Sequence, residues 1–216
     1  MTIQDVGTKQ LKAAFLSGED LNVASSILFQ AYHDDPFFMD CFNGNNQGYE
    51  QRLRAAIREE LTFFFDKQQP IIGVYDANEH LIAVTCVIEP LTDFGAGRFW
   101  HWRLKMMLTT GYISTKSMIE KEKIVRQSIP DTVYHLIAFI AVQPNYQHAG
   151  VGHFMLGAID SLVSEHENTQ GIGVLVTVEK LQAFFADCGY QAIKPLSIGD
   201  ISAQLMYKPY SNENSK

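Results

Sequence analysis

The 216-residue chain predicts an α+β fold, with a mixed, mostly antiparallel central sheet flanked by helices. Three observations carry this reading. Ile71 to Tyr75 and His80 to Ile88 read as an antiparallel hairpin turning through Asp76-Ala-Asn-Glu79. Thr132 to Val142 is apolar, aromatic or β-branched on both alternating faces, as an interior strand covered on both sides should be. It leads through a short turn into a helix whose apolar face is Val151, Phe154, Met155, Ala158, Ile159, Leu162 and Val163.

In chain order, Leu11 to Leu16 is expected as a first strand, followed by a helix from about Glu19 with Ala24, Ile27, Leu28, Ala31 and Tyr32 on one face. Asp34-Asp35-Pro36 ends that helix. A second amphipathic helix spans about Gly48 to Lys67 and carries Leu53, Ile57, Leu61, Phe64 and Phe65. Pro90 closes the hairpin that follows. Residues 98–128 are helical in composition, with Trp100, Trp102, Leu104, Met107, Leu108, Ile113, Met118 and Ile119, and a break at Gly111. Pro144 stops the interior strand, and the next helix starts at or just before Gly150. Gly173 to Thr177 is a short apolar strand, Ile201 to Tyr207 a last one, and 211–216 a frayed polar tail.

A hydrophobic content of 46% is ample for one core, and residues 1–210 are read as a single domain. No stretch approaches the ~20 uninterrupted apolar residues of a membrane span. Met1 to Asp20 lacks a basic start followed by an apolar run, so a cytoplasmic protein with no membrane partner is expected. Cys41, Cys86 and Cys188 show no metal-ligand or disulfide spacing, so no metal is expected. A net charge of −7 argues against nucleic acid as a partner and is compatible with a cationic amine substrate. The charge is uneven: Arg98 to Arg126 holds seven Lys/Arg against two Glu, the pattern of a solvated helix face or of a basic lid.

The turn between the interior strand and its helix carries the most chemistry. Gly150 and Gly152 let a ligand approach the backbone where first-turn N–H groups have no intrahelical partner, and the helix dipole adds positive potential. The arrangement suits a pyrophosphate or a similar anion; a purely steric role for the two glycines is the alternative. A dinucleotide fingerprint would need glycine at Met155, and a Walker A loop needs Gly-Lys-Ser/Thr, so both are excluded.

Gln147-x-x-Gly150-x-Gly152, after a strand ending Val142-x-Pro144, resembles the Arg/Gln-x-x-Gly-x-Gly/Ala signature of the GNAT superfamily of acyl-CoA-dependent N-acyltransferases. The segment Leu181 to Tyr190 is similar to the later helix of that family, N-x-x-x-Tyr-x-x-x-Gly-Phe, with Leu181 and Phe185 in place of its Asn and Tyr. Ala31 to Phe38 is similar to a segment of puromycin-N-acetyltransferase-like members.

The resemblance implies a V-shaped split between a fourth strand, 133–142, and a fifth, 173–178, with 98–128 a helical insertion. It implies that the main chain of Ile140, Ala141 and Val142 pairs with a pantetheine arm. The amides of Gln147, His148, Ala149, Gly150, Val151, Gly152 and His153 would hold the pyrophosphate, with Phe185 also on the cofactor. The implied activity moves an acetyl group from acetyl-CoA to a primary amine of a small molecule. The alternative is an acyl-CoA-binding sensor or interaction protein with little transferase activity, toward which Leu181 and Phe185 point because both remove a polar group.

Acyl transfer needs a neutral nucleophile, a polarised carbonyl and a proton for the departing thiolate. A backbone N–H freed where the fourth strand leaves its partner can serve as an oxyanion donor. His135 and Glu89 are the candidate bases, and Tyr190, Tyr134 or water the candidates to protonate the thiolate in place of Phe185. His148 and His153 are expected to act through their backbone, and Asp34 or Asp35 to cap a helix or hold an ammonium group.

Overall fold

The computed structural model of the protein describes residues 11–92 and 112–210. Strand β1 (Lys12–Phe15) leads through a 3-10 turn into α1 (Leu21–Tyr32). Asp35 then caps α2 (Pro36–Cys41), accepting from the amides of Phe37 and Phe38 while Pro36 takes a first-turn position that needs no N–H. The short α2 has no counterpart in the sequence reading; of the two roles expected for an acidic residue there, Asp35 takes the capping one.

Helix α3 (Tyr49–Asp66) buries Leu53, Ala56, Ile57, Glu60, Leu61 and Phe64, a single stripe at helical spacing. Strands β2 (Ile71–Tyr75) and β3 (Leu81–Ile88) form the expected hairpin, and α4 (Tyr112–Ser128) covers the end of the expected helical segment. The remainder of 98–128, Gly111 included, and the tail 211–216 lie outside the described residues. The interior strand is β4 (Tyr134–Val142), its helix α5 (Val151–Ser164), and β5 (Gly171–Val176) and α6 (Gln182–Asp187) follow.

The chain ends in an antiparallel pair, β6 (Gln191–Ile198) and β7 (Ile201–Pro209). Only β7 was expected. Strand β6 carries Lys194 and Pro195 and is largely exposed, which hides it from hydrophobic patterning; it sits at the sheet edge, where a proline costs no ladder bond.

Among the described residues seven strands run β1-β2-β3-β4-β5-β7-β6, and β4 with β5 is the parallel pair among antiparallel neighbours. Helices α1, α2, α3 and α4 cover one face, where Leu136, Phe139 and Ala141 join their core. Helices α5 and α6 cover the other, with Ile137, Ile172, Val174 and Val176. Ala31, placed on the buried face of α1 by periodicity, is exposed; Phe29 is buried instead. Among the described residues no helix is long and apolar enough to cross a membrane.

Candidate functional site

The site begins at an irregularity in β4. Cys86 faces Phe139 and Val87 faces Ile137, so Ala138 is an extra residue, a β-bulge. The bulge reverses the alternation: Ile137 points to the α5 core, and Phe139, two residues on, points to the α3 core. It also bends the strand. Strand β4 pairs with β5 only from Tyr134↔Gly171 to Ile137↔Val174, and beyond that β4 stays with β3 while β5 stays with β7. The sheet opens there into the V expected between the fourth and fifth strands.

Opening a sheet exposes main-chain groups that must find partners. Ile140 N–H donates to Tyr32 Oη at 3.0 Å, and Tyr32 Oη–H donates back to the Ile140 carbonyl at 3.2 Å. The carbonyl of Val142 accepts from Gln147 Nε2 at 3.0 Å, so the Gln147 side chain braces the strand end.

Past Val142 the chain makes a 3-10 turn over Pro144–Tyr146 and reaches the start of α5. Tyr146 Oη donates to Asp76 Oδ2 at 3.1 Å, tying the turn to the β2–β3 hairpin. His148 (φ 62°) and Gly150 (φ 80°) are both left-handed, a conformation that brings the chain around so that the first amides of α5 face outward from the helix end. A Cβ on Gly152 would lie 3.0 Å from the Phe184 ring, which also meets His153 edge-on, so α6 walls this end of α5. The rings of His148 and His153 are exposed. The structure thus gathers Ile140, Ala141, Val142 and Gln147 to His153 along one line, from the open edge of β4 to the tip of α5.

Phe185 lies elsewhere. Its ring is buried in the α5-side core, edge-to-face with Phe184 and Tyr190. Tyr190 is buried behind it, and its hydroxyl has no hydrogen-bond partner among the described residues. A Phe185→Tyr protein should therefore be neutral in turnover, within about threefold, and less stable by roughly 1–3 kcal/mol, since its new hydroxyl would be buried without a partner. Thermal melting and thiol release measure the two effects; faster turnover would return the proton-donor role to position 185.

His135 and Glu89 are neighbours at the closed end of the V, before the bulge. His135 is fully buried in the section of β4 zipped to β5. Thr169 Oγ1 donates to the Gly171 carbonyl, which leaves His135 Nδ1 to donate to Thr169 at 3.0 Å and Nε2 without a partner among the described residues. Glu89 Oε1 stands 3.4 Å from His166 Nε2, and the His166 ring lies edge-on to His135. Burial, reinforced by His166, pushes the His135 imidazole down to about 4.

An unfolded histidine titrates near ~6.5, so as pH falls below that value the unfolded chain binds a proton that the folded chain refuses until about 4. Stability should then fall by up to about 3 kcal/mol between these two pH values and level off below, and His135→Gln should flatten that segment of a urea-melting series. Unchanged slope in the variant would remove His135 as its source.

On the α3 side of the V, a cleft of about 80 Å³ is lined by Glu60, Phe64, Lys121, Glu122, Ala138 and Leu175, among others. Glu60 is 5% exposed, a carboxylate held within an apolar helix stripe. Lys121 Nζ lies 4.8 Å from the centre of the Phe37 ring; burial lowers its pKa, against the pull of Asp35, Glu60, Cys41 and Glu122. A buried carboxylate beside a bulged strand edge can take a proton from a nucleophile arriving there. The sequence carries a signal for Glu60 that the motifs above do not use: it falls in register with Ala56, Ile57 and Phe64 on the apolar face of α3, where a solvated surface charge does not belong. Tyr32 lay on the expected apolar face of α1, but its reach to Ile140, 108 residues away in sequence, is a tertiary fact.

A parallel pair that opens past a bulge, with a glycine turn at a helix start beyond it, defines the class: the chain has the GNAT fold. No family model matches the sequence, and no curated protein matches it. The fold is similar to a Corynebacterium glutamicum structure described as histone acetyltransferase HPA2 and related acetyltransferase, at 14% identity over 95% of this chain and 99% of that one, TM-score 0.70. It is similar to the C-terminal condensation domain of Ebony in complex with beta-alanyl-dopamine, at 13% identity over 93% and 99%, TM-score 0.66. It is also similar to mosquito arylalkylamine N-acetyltransferase-like 5b, at 14% identity over 93% and 100%, TM-score 0.58.

Proposed function

We propose that the protein is an acyl-CoA-dependent N-acyltransferase that moves an acetyl group from acetyl-CoA to a primary amine of a small molecule. The observation that carries this reading is the continuity of the open β4 edge with the left-handed turn at Gly150 and the first amides of α5. An extended amide-bearing arm ending in a pyrophosphate has the matching sequence of groups: strand-like pairing first, then an anion at a helix N-terminus. The residues fit that donor, because Gly150 takes the left-handed conformation that turns the first amides of α5 outward, while Gly152 leaves room for the Phe184 ring beside them. Acetyl-CoA supplies the activated acyl carbon; the chain supplies orientation and charge. The amides from His148 to His153 bind the pyrophosphate. The main chain at Ile140 and Val142 aligns the arm, and the N–H of Ala138 or Ile140 faces the developing oxyanion.

Glu60 fits the role of base better than His135 or Glu89, because it lines the cleft at the bulge while those two sit at the closed end. Several structures of this fold are named for amine acetylation, including the mosquito enzyme and a spermidine/spermine N-acetyltransferase from Vibrio cholerae. These support an amine acceptor here, and the small cleft beside Ala138 supports a short acyl group. The protein is taken to work in the cytoplasm.

Calorimetric titration with coenzyme A and acetyl-CoA, followed by an amine panel monitored for released thiol, tests the reading. Binding without release for any amine would favour the sensor alternative, to which the apolar Phe185 and Leu181 lend weight.

A further inference from the structure

The apolar Phe185 leaves a chemical need unmet: the thiolate that departs from a thioester must be protonated. We propose that Tyr32 is a catalytic residue of the transfer, its hydroxyl, seated on the free edge of β4 at Ile140, giving its proton to the departing sulfur. The inference rests on the acyltransferase reading above.

The hydroxyl is held where a partner strand would be. Ile140 N–H and C=O point to the same side of β4, into the V, and Tyr32 Oη satisfies both, at 3.0 and 3.2 Å. One phenol thereby imitates an amide of the missing neighbour. The ring is locked edge-on between Phe38, at 5.3 Å, and Phe139, at 5.6 Å, so the hydroxyl is placed in advance of any ligand.

An acyl carbonyl that takes the Ile140 N–H as its oxyanion donor displaces the hydroxyl from that N–H alone and leaves it beside the thioester. Oxygen and sulfur are both bonded to the carbonyl carbon, so a donor beside the oxygen is within reach of the sulfur. Burial, with Asp35 from the α1–α2 loop and Cys86 from β3 adding to it, raises the phenol well above its ordinary range, so the proton leaves only as the departing sulfur develops its charge beside it. The other candidate hydroxyls stand elsewhere: Tyr190 behind Phe185, and Tyr134 at the zipped start of β4.

The step balances. The amine lone pair forms the C–N bond; the C–S bond breaks with its electron pair on sulfur; the Tyr32 proton goes to sulfur. The proton shed by the amine nitrogen passes through the base and water back to the phenolate. Amide and free thiol result, and Tyr32 is restored.

The test follows thiol release from acetyl-CoA in single turnover with hydroxylamine, a small acceptor whose nitrogen is already neutral at neutral pH, beside calorimetric affinity for acetyl-CoA. Tyr32→Phe should slow release about 100-fold while acetyl-CoA affinity stays within about threefold. Because that variant also strips Ile140 of its partner and can unfold, trifluorotyrosine is placed at position 32, keeping both hydrogen bonds on a more acidic phenol. It should introduce a fall in rate at alkaline pH that the wild type lacks. A folded Tyr32→Phe protein within threefold of wild type, or a pH profile unmoved by fluorination, overturns the role. A wild type that binds acetyl-CoA yet releases no thiol removes the transfer step and Tyr32's part in it, leaving the anion cradle standing. Absence of coenzyme A binding overturns both.

Discussion

Gly150→Val should weaken coenzyme A binding by about 100-fold or more in a protein that still folds. Two costs combine at this position. Gly150 has φ 80°, which a β-branched residue adopts only with strain, so the turn would shift to relieve it. That shift would also carry the neighbouring amides of His148 to His153 out of line with one another. A pyrophosphate is held by charge-assisted hydrogen bonds worth about 1.5–3 kcal/mol each, so the loss of two suffices for the predicted effect.

Gly152→Val should act in the same direction, because its Cβ meets the Phe184 ring at 3.0 Å and must displace that ring from the end of α5. His148→Ala is the control: its exposed ring is lost but its amide is kept, and affinity should change less than about threefold. Calorimetry on proteins with unchanged circular dichroism decides the matter. Wild-type affinity in both glycine variants would overturn the cradle.

Glu60→Gln should lower turnover by roughly 100- to 1000-fold with the first amine that releases thiol, while coenzyme A affinity stays unchanged. The substitution keeps the shape of the side chain and removes its ability to accept a proton. Because Glu60 lines the cleft at Ala138, apart from the turn at Gly150, cofactor affinity is a clean internal reference. The parallel variants Glu89→Gln and His135→Gln should retain turnover within about threefold, since both residues sit where β4 is still zipped to β5. Normal turnover in Glu60→Gln with a deep loss in either of the others would move the base to the closed end of the V.

Several parts of this molecule are local in origin, and sequence alone determines them. The hairpin from Ile71 to Ile88, the periodic faces of α1, α3 and α5, and the Gly150 turn each depend on residues within 18 positions of one another. Hydrophobic period and turn chemistry suffice to read them. Their order, with the Gln147 to Gly152 signature, was also enough to reach the fold and its split, since that split follows from which strands neighbour which. Strand β6 escaped because an edge strand that buries only Leu196 and Ile198 leaves too short a pattern to read, and α2 because six residues are too few for a period.

The tertiary structure alone decided the chemistry of the V. The bulge at Ala138 is a matter of register between β3 and β4, and it turns Phe139 and Ala141 toward α3 while Ile140 presents its main chain to the gap. Tyr32 and Glu60 read as ordinary members of helix faces until α1 and α3 are laid on the sheet; only then does one hydroxyl reach Ile140 and one carboxylate reach the cleft. His135 and Glu89, chosen for their ionisable side chains, prove to be neighbours at the closed end, joined through His166. A side chain's chemistry is written in its residue type, but its access to a reacting atom depends on contacts between segments far apart in sequence, and those are set by packing.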